Sequence, residues 1–380
     1  MTTARSGNGS AGGGARSRQR GWLRWTPVAA PLWSLGYALV ALLWALTAGG
    51  PPVESAGDPS LGPLAVRFGP GPAWAAVLLA GLPAAAVGAA MLKGVRTGRR
   101  LLLAAGALVA ALLLLCMIDV RLLMLLGYVP YGLVGVVAGS DVGAVFLAQA
   151  LTRDMLHQVV CLAGGLLWAA AALAYARRSR GGCVHCGRTG RAHGWTSPAA
   201  AARWGSVAVY VAMAPPLLYA ATRFAWWLGI PIGITREFLR EGQADGSWTS
   251  GAFLAGFATV GAVLTLGLVQ RWGEVFPRWV PGLAGRRVPV ALAVVPACVV
   301  AVLVFVGGIA MVSGYAAMAG GAADASGPFG AAVLAGLIAV LFPVWGAALA
   351  AAALAYHLRR RGACADCGRG VARPSPAPAN

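Results

Sequence analysis

The chain has 380 residues, of which 59% are apolar and only 11% are charged, and its mean hydropathy is +0.73. Because a soluble domain carries about 25% charged residues, this composition excludes an ordinary soluble body and indicates several membrane-spanning helices. The formal net charge of +19 would suit a nucleic-acid-binding protein. No aromatic and basic binding module accompanies that charge, however, so we expect no nucleic-acid partner.

The first half of the chain contains apolar runs that are too long for strands and predict membrane-spanning helices. A polar, Gly/Ser/Arg-rich segment at 1–26 precedes them and predicts a disordered, basic cytoplasmic tail. The four predicted spans of this half are 27–48, 73–92, a helix beginning at Leu101, and a helix from Met155 to Ala176.

The stretch that begins at Leu101 is longer than one span requires. Its first 28 residues carry few charges, and at helical rise they would reach ~42 Å, whereas the hydrocarbon core of a bilayer is about 30 Å thick. We expect one long or tilted helix that protrudes on the outer side. The alternative is a span followed by a re-entrant segment at 122–139.

The second half repeats this plan and ends in a Pro-rich tail at 371–380, which predicts disorder. Its four predicted spans are 205–229, 250–270, a helix beginning at Val288, and 329–358. The predicted fold class is all-α: a polytopic membrane helix bundle with eight transmembrane helices, forming two parallel four-helix repeats at 27–190 and 191–370.

Charged residues divide unequally between the two alternating sets of loops. Nine of the eleven acidic residues lie in or beside one set, whereas 24 of the 30 basic residues lie in the other. Since cytoplasmic loops are enriched in basic residues, this division predicts a plasma-membrane protein with both termini in the cytoplasm. Besides the lipid bilayer itself, we expect anionic lipid headgroups at the cytoplasmic face as partners.

Two stretches of seventeen residues indicate an internal duplication. ALAYARRSRGGCVHCGR, which ends at Arg188, and ALAYHLRRRGACADCGR, which ends at Arg369, are identical at eleven positions without a gap. Tyr-Ala pairs at Tyr37 and Tyr219 recur in the same order, as expected for a tandem repeat. Each predicted repeat has an even number of spans, so both would enter the membrane from the same side.

These two stretches contain four of the seven cysteines, in the pairs Cys183, Cys186 and Cys364, Cys367. Each pair reads Cys-x-x-Cys-Gly-Arg, a spacing at which a tight turn lets two thiolates bind one metal ion. The units resemble the rubredoxin-type knuckles of zinc-binding proteins. Because a structural zinc site needs four ligands, one pair from each repeat predicts a shared zinc ion.

Two other interpretations of the cysteine pairs stay open. The pairs are either a redox dithiol or two exposed thiol pairs without a joint role. Redox Cys-x-x-Cys motifs usually begin a helix, whose positive end lowers the thiol pKa, whereas these pairs follow predicted helix C-termini. Structural disulfides are disfavoured in the reducing cytoplasm. His185 and His193 are either further ligands or solvated loop histidines.

Polar residues within or beside the predicted spans are the remaining candidates, because charged groups in a membrane are costly and often functional. A possible polar pocket in the outer leaflet comprises Asp119, Arg121, Asp154, His157 and Arg223. For Arg223 the alternative is a position near the outer boundary, stacked on Trp226 or Trp227.

The combined pattern resembles a family of duplicated, multi-pass bacterial membrane proteins. The resembling stretches are LLLLCMIDVRLLMLLGYVP, LAGGLLWAAAALAYARRSRGGCVHCGR and TRFAWWLGIPIGI. The resemblance implies the architecture and no specific activity, and the chain contains no P-loop, nucleophile elbow or HExxH motif. We therefore expect a structural or regulatory membrane protein with a zinc clamp and no catalytic site. The alternatives are a transporter for a small solute or lipid and a membrane-associated thiol oxidoreductase.

Overall fold

A computed structural model of the chain describes residues 25–47, 70–190, 194–319, 331–364 and 366–370. Most of the predicted N-terminal tail, the predicted C-terminal tail at 371–380, and His193 lie outside the described residues.

The described structure is helical apart from one isolated bridge between Val275 and Arg287. The helices of the first half are α1 (Thr26–Leu46), α2 (Pro70–Ala80), α3 (Leu82–Leu92), α4 (Arg99–Ala111), α5 (Val120–Val137), α6 (Asp141–Ala150) and α7 (Arg153–Ser179). Those of the second half are α8 (Pro198–Trp227), α9 (Arg236–Ala244), α10 (Ser247–Leu266), α11 (Val290–Ala319) and α12 (Ala331–Arg360).

Nine helical segments among the described residues are long and apolar enough to cross a membrane, with α2 and α3 together forming one of them. This confirms a polytopic, all-α membrane protein. Helix α8 begins at Pro198, earlier than the predicted 205, because the Ser197 side chain accepts a hydrogen bond from the Ala200 N–H and caps the helix.

The helices of the two halves pack in the same order. In the first half α1 lies between α3 and α7, and α4 packs on the other side of α7. In the second half α8 lies between α10 and α12, and α11 packs on the other side of α12. The halves differ at one place: α3 and α4 pack against each other, whereas α10 and α11 do not pack closely.

Glycines let these helices approach closely where lipid supplies no hydrophobic drive for association. A Cβ added at Gly164 would overlap the Trp33 ring, and one added at Gly205 would overlap Ala355. Each of these contacts joins the first helix of a half to its last helix, α1 to α7 in the first half and α8 to α12 in the second.

A buried tyrosine near the end of the last helix fixes the same loop in each half. The Tyr175 hydroxyl donates to the carbonyl of Val95, and the Tyr356 hydroxyl donates to the carbonyl of Gly273 at 2.6 Å. The two tyrosines occupy the same position in the two matching stretches of sequence. Each ties its helix end to the loop after the second span, which positions the cysteine loop that follows.

The expectation of one continuous helix from Leu101 is wrong. Helix α4 ends in a π-helical turn at Leu112–Cys116, and α5 begins only at Val120. The break occurs because Asp119 adopts an extended backbone and caps α5, its carboxylate accepting the Arg121 N–H at 2.7 Å. The Asp119 N–H is in turn satisfied by the Gln158 side chain at 3.2 Å.

Helices α5 and α6 form a hairpin that returns to its starting point. The Arg121 guanidinium, at the start of α5, contacts Asp119 at 2.6 Å and Asp154 at 2.7 Å, and Asp154 lies just after the hairpin. The returning helix α6 has ten residues, or about 15 Å, which is half of the ~30 Å hydrocarbon core. The hairpin therefore begins and ends at the same level of the bundle.

Alkaline phosphatase inserted at the turn between α5 and α6, after Gly139, should be active in cells. This enzyme works only outside the cytoplasm, and because α6 is too short to cross a membrane, we expect Gly139 to lie on the side where the hairpin begins. Insertion after Asp245 should also give activity, whereas insertion after Gly282, in a predicted cytoplasmic loop, should not. Activity only at Gly282 would contradict the topology.

Candidate metal centre

The four cysteines of the two Cys-x-x-Cys pairs meet at one point. The Sγ atoms of Cys183, Cys186, Cys364 and Cys367 all lie within 4.8 Å of one another, and all four thiols are free. Across the two loops, Cys183 Sγ is 3.9 Å from Cys364 Sγ, and Cys186 Sγ is 3.6 Å from Cys367 Sγ.

These distances suit a tetrahedral metal ion. Four sulfurs placed about 2.3 Å from a central zinc lie about 3.8 Å apart, and the two distances across the loops are 3.9 and 3.6 Å. All four cysteines are half-buried, so an ion among them would be partly shielded from water. The four-cysteine cluster could therefore hold a metal such as zinc.

Each cysteine loop is a tight turn closed by the same backbone hydrogen bonds. In the first loop the Gly187 N–H donates to the Cys183 carbonyl at 2.7 Å, and in the second the Gly368 N–H donates to the Cys364 carbonyl at 2.8 Å. Gly187 has φ +69° and Gly368 has φ +67°, a conformation that favours glycine. The Gly after each second cysteine is thus required by the turn.

Side chains from equivalent positions of the two loops also pair with each other. An Arg188 N–H donates to the Arg369 carbonyl at 2.8 Å, and an Arg369 N–H donates to the Arg188 carbonyl at 2.7 Å. His185 Nδ1 lies 2.8 Å from an Asp366 carboxylate oxygen. Each of these pairs joins one position of the first matching stretch to the same position of the second. The loops are therefore related locally by an approximate two-fold axis that passes between the sulfurs.

Arginines at the ends of α7 and α12 hold the loops in place. Arg177 donates to the carbonyls of Val184 and His185 at 2.8 and 3.0 Å. Arg361, just after α12, reaches across and donates to the Cys186 carbonyl at 3.1 Å. These guanidinium groups are near the sulfurs, where they would offset part of the negative charge of a metal bound to four thiolates.

The two cysteines of the first loop have opposite pKa shifts. Burial raises the pKa of Cys183, but hydrogen bonds from the Cys186 N–H and the Cys367 thiol outweigh it and bring the pKa to about 7. Burial, together with the neighbouring Cys367 and Cys183 thiols, raises the pKa of Cys186 to about 12. One thiolate therefore forms easily, whereas a second beside it requires a cation.

The residues of the predicted polar pocket make three sets of contacts. Asp119, Arg121 and Asp154 form one ion-pair network, and the amide of Gln158 donates to the Asp119 carboxylate at 3.0 Å. The second set is that of His157, whose Nε2 lies 2.8 Å from the Tyr37 hydroxyl and 3.4 Å from the Cys161 sulfur.

Arg223 makes the third set of contacts. Its guanidinium carbon lies 4.1 Å from the centre of the Trp226 ring and 4.9 Å from that of Tyr219. This stacking on Trp226 is the alternative that the sequence predicted for Arg223.

Comparison of the chain with protein-family models, with curated proteins and with solved structures finds no match. The resemblance to a duplicated membrane-protein family is therefore not supported by a family model, and the interpretation of the site depends on its geometry.

Zinc affinity should rise with pH between pH 6 and 8. Zinc must displace the proton of each thiol that is still protonated, such as Cys186, whose pKa is about 12. Below pH 7 it must also displace the proton of Cys183, whose pKa is about 7. Competition with a chelator, corrected for the chelator's own protonation, measures the trend. An affinity that does not change with pH would contradict binding to the thiolates.

Replacing Asp119 with Ala should destabilise the protein by about 3 kcal/mol, because it removes the cap of α5 and one partner of a buried ion pair. The thermal midpoint of the purified protein in detergent measures the effect. Asp141→Ala, which removes an exposed carboxylate from the first turn of α6, is the control and should have little effect. Equal midpoints for the two variants would refute the role of Asp119.

Proposed function

We propose that this chain is a non-enzymatic integral membrane protein whose two halves are joined by one structural zinc ion, bound by Cys183, Cys186, Cys364 and Cys367. The observation that carries the proposal is the convergence of four free thiols, from loops in opposite halves of the chain, within 4.8 Å of one another.

The ligand set favours a structural over a catalytic metal. A catalytic zinc has three protein ligands and keeps one position for water or substrate, whereas a structural zinc is bound by four protein ligands. Four cysteines complete the tetrahedron and leave no open position. Zinc bound in this way stabilises the folded arrangement, because it binds only when both loops are in place.

The proposed fold is a tandem duplication with eight membrane crossings. The same packing order of four helices in each half, the tyrosine contacts to equivalent loops and the pairing of equivalent residues across the cysteine loops support the duplication. The hairpin of α5 and α6 returns to its starting level and adds no crossing. Each half then has four crossings, and the four of the second half bring the two cysteine loops to the same face.

The proposed orientation places the cysteine loops and both termini in the cytoplasm. The basic residues that end α7 and α12 support it, since such residues are retained on that side. The plasma membrane is the proposed location, and anionic headgroups near these arginines are the proposed lipid partners. A reducing compartment keeps the four thiols free to bind metal.

A thiol oxidoreductase is a weaker alternative. Cys183 and Cys364 follow the C-termini of α7 and α12, where the helix dipole opposes a thiolate. Each thiol also has sulfur neighbours from the other loop, which suits a shared ion better than two independent dithiols. A transporter for a small solute or lipid is the other alternative.

Purified protein should contain about one zinc per chain by elemental analysis. Replacing Cys183 with Ser, or Cys364 with Ser, should remove most of it, because each variant breaks the same four-ligand site. Cys298→Ser, which changes a half-buried cysteine within α11, is the matched control and should keep the metal.

The shared site would be refuted if both loop variants keep their zinc. It would also be refuted if Cys183→Ser loses the zinc and Cys364→Ser keeps it. A metal-free protein that reduces disulfides, with that activity lost in both variants, would support the oxidoreductase instead.

A further inference from the structure

The second half contains a cleft that the first half lacks. Helices α3 and α4 pack together, but their counterparts α10 and α11 stand apart, and α5 lies across the opening between them. Val120 of α5 faces Gly307 of α11, and Gly127 of α5 meets Leu254 of α10. The space behind α5 is a cavity of about 730 Å³.

This cavity has the size and the lining of a ligand site. Sites for small molecules usually measure about 300–1,000 Å³ and are lined by apolar and aromatic groups with a few placed polar ones. Most of the lining here is aliphatic or aromatic, and the one charged group is the guanidinium of Arg223.

The polar groups of the cavity lie at one end, whereas the other end is apolar. Arg223 is four residues from the end of α8, and Ser250 lies in the first turn of α10, at the same end of the bundle. Tyr128 is close enough to both to interact with them. The opposite end is formed by Val300 and Trp345, nearer to the end that bears the cysteine loops.

Arg223 has no ion pair with an acidic residue in the described part of the chain; its guanidinium stacks on the rings of Trp226 and Tyr219 and lies near Tyr128. A guanidinium at membrane depth usually pairs with an acid or faces a polar cavity. Its planar donors also match the geometry of a carboxylate or a phosphate. These features suit a ligand that is an anion at one end and apolar over the rest.

We propose that the cavity between α10 and α11 binds an amphiphile with an anionic head, placed at Arg223, and an acyl tail that extends toward Val300 and Trp345. This orientation is that of a lipid in the outer leaflet under the proposed topology. A free fatty acid and an anionic lysophospholipid share this chemistry. The site does not depend on the zinc cluster, which lies at the other end of the helices.

The test uses the full-length protein in phosphatidylcholine nanodiscs, titrated with dibrominated stearate, whose bromines quench tryptophan fluorescence on contact. We expect a saturable quenching component that Trp345→Phe reduces. Arg223→Gln should weaken this binding about tenfold, as expected for the loss of a charge-assisted hydrogen bond. Arg236→Gln, which removes an exposed positive charge at the start of α9, should leave it unchanged.

A second pair of variants tests the tail site without changing charge. Ala258→Phe fills the cavity from α10 and should abolish the saturable component, whereas Val260→Phe enlarges an exposed side chain of the same helix and should keep it.

Unlabelled competitors identify the head. If palmitoyl-lysophosphatidylglycerol displaces the brominated stearate better than palmitate does, the preferred head is a phosphate. If palmitate displaces it better, the preferred head is a carboxylate. The uncharged monoglyceride of palmitate should compete about tenfold less well than the better anion. The proposal is overturned if quenching never saturates, if the monoglyceride competes equally, or if Arg223→Gln and Arg236→Gln bind alike.

Discussion

The contact between the two cysteine loops is the constraint on which the rest of the fold depends. Four thiols within 4.8 Å of one another can come from loops in opposite halves of the chain only if the segment between them crosses the membrane an even number of times. The second half of the chain, which lies between the two loops, meets this requirement with four helices long enough to cross a membrane, α8, α10, α11 and α12. The parity of crossings and the proposed metal site therefore support each other.

The membrane also explains where the two halves differ. A buried carboxylate such as Asp119 cannot be left without partners in an apolar bundle, and its partners come from α5 and α7. These contacts are possible because the helix is broken at Asp119, and α5 and α6, the additional helices of the first half, follow that break. Helix α5 then lies against α10 and α11, which leaves the cavity beside Arg223.

The sequence predicted the features that repeat and missed those that do not. The Cys-x-x-Cys spacing, the glycine after each pair and the match between the two stretches were sufficient to predict that Cys183 and Cys364 meet, because one knuckle supplies only half of a tetrahedral site. A break before 122 was only the alternative to one long helix, since the surrounding leucines and valines read as one helix and the stabilising partners of Asp119, namely Gln158 and Asp154, are distant in the chain.

The cavity at Arg223 could not be predicted for a related reason. It arises from the separation of two helices, which no local pattern encodes. The stacking of Arg223 on Trp226, by contrast, was among the alternatives because both residues lie close together on one helix.

X-ray absorption spectroscopy at the zinc edge of the purified protein tests the central claim most directly, because it reports the atoms bound to the metal. Zinc shared by the two cysteine loops should give one shell of four sulfurs at about 2.3 Å, with no nitrogen or oxygen ligand. A shell of two sulfurs with nitrogen or oxygen atoms would contradict it, since each cysteine loop would then bind metal without the other.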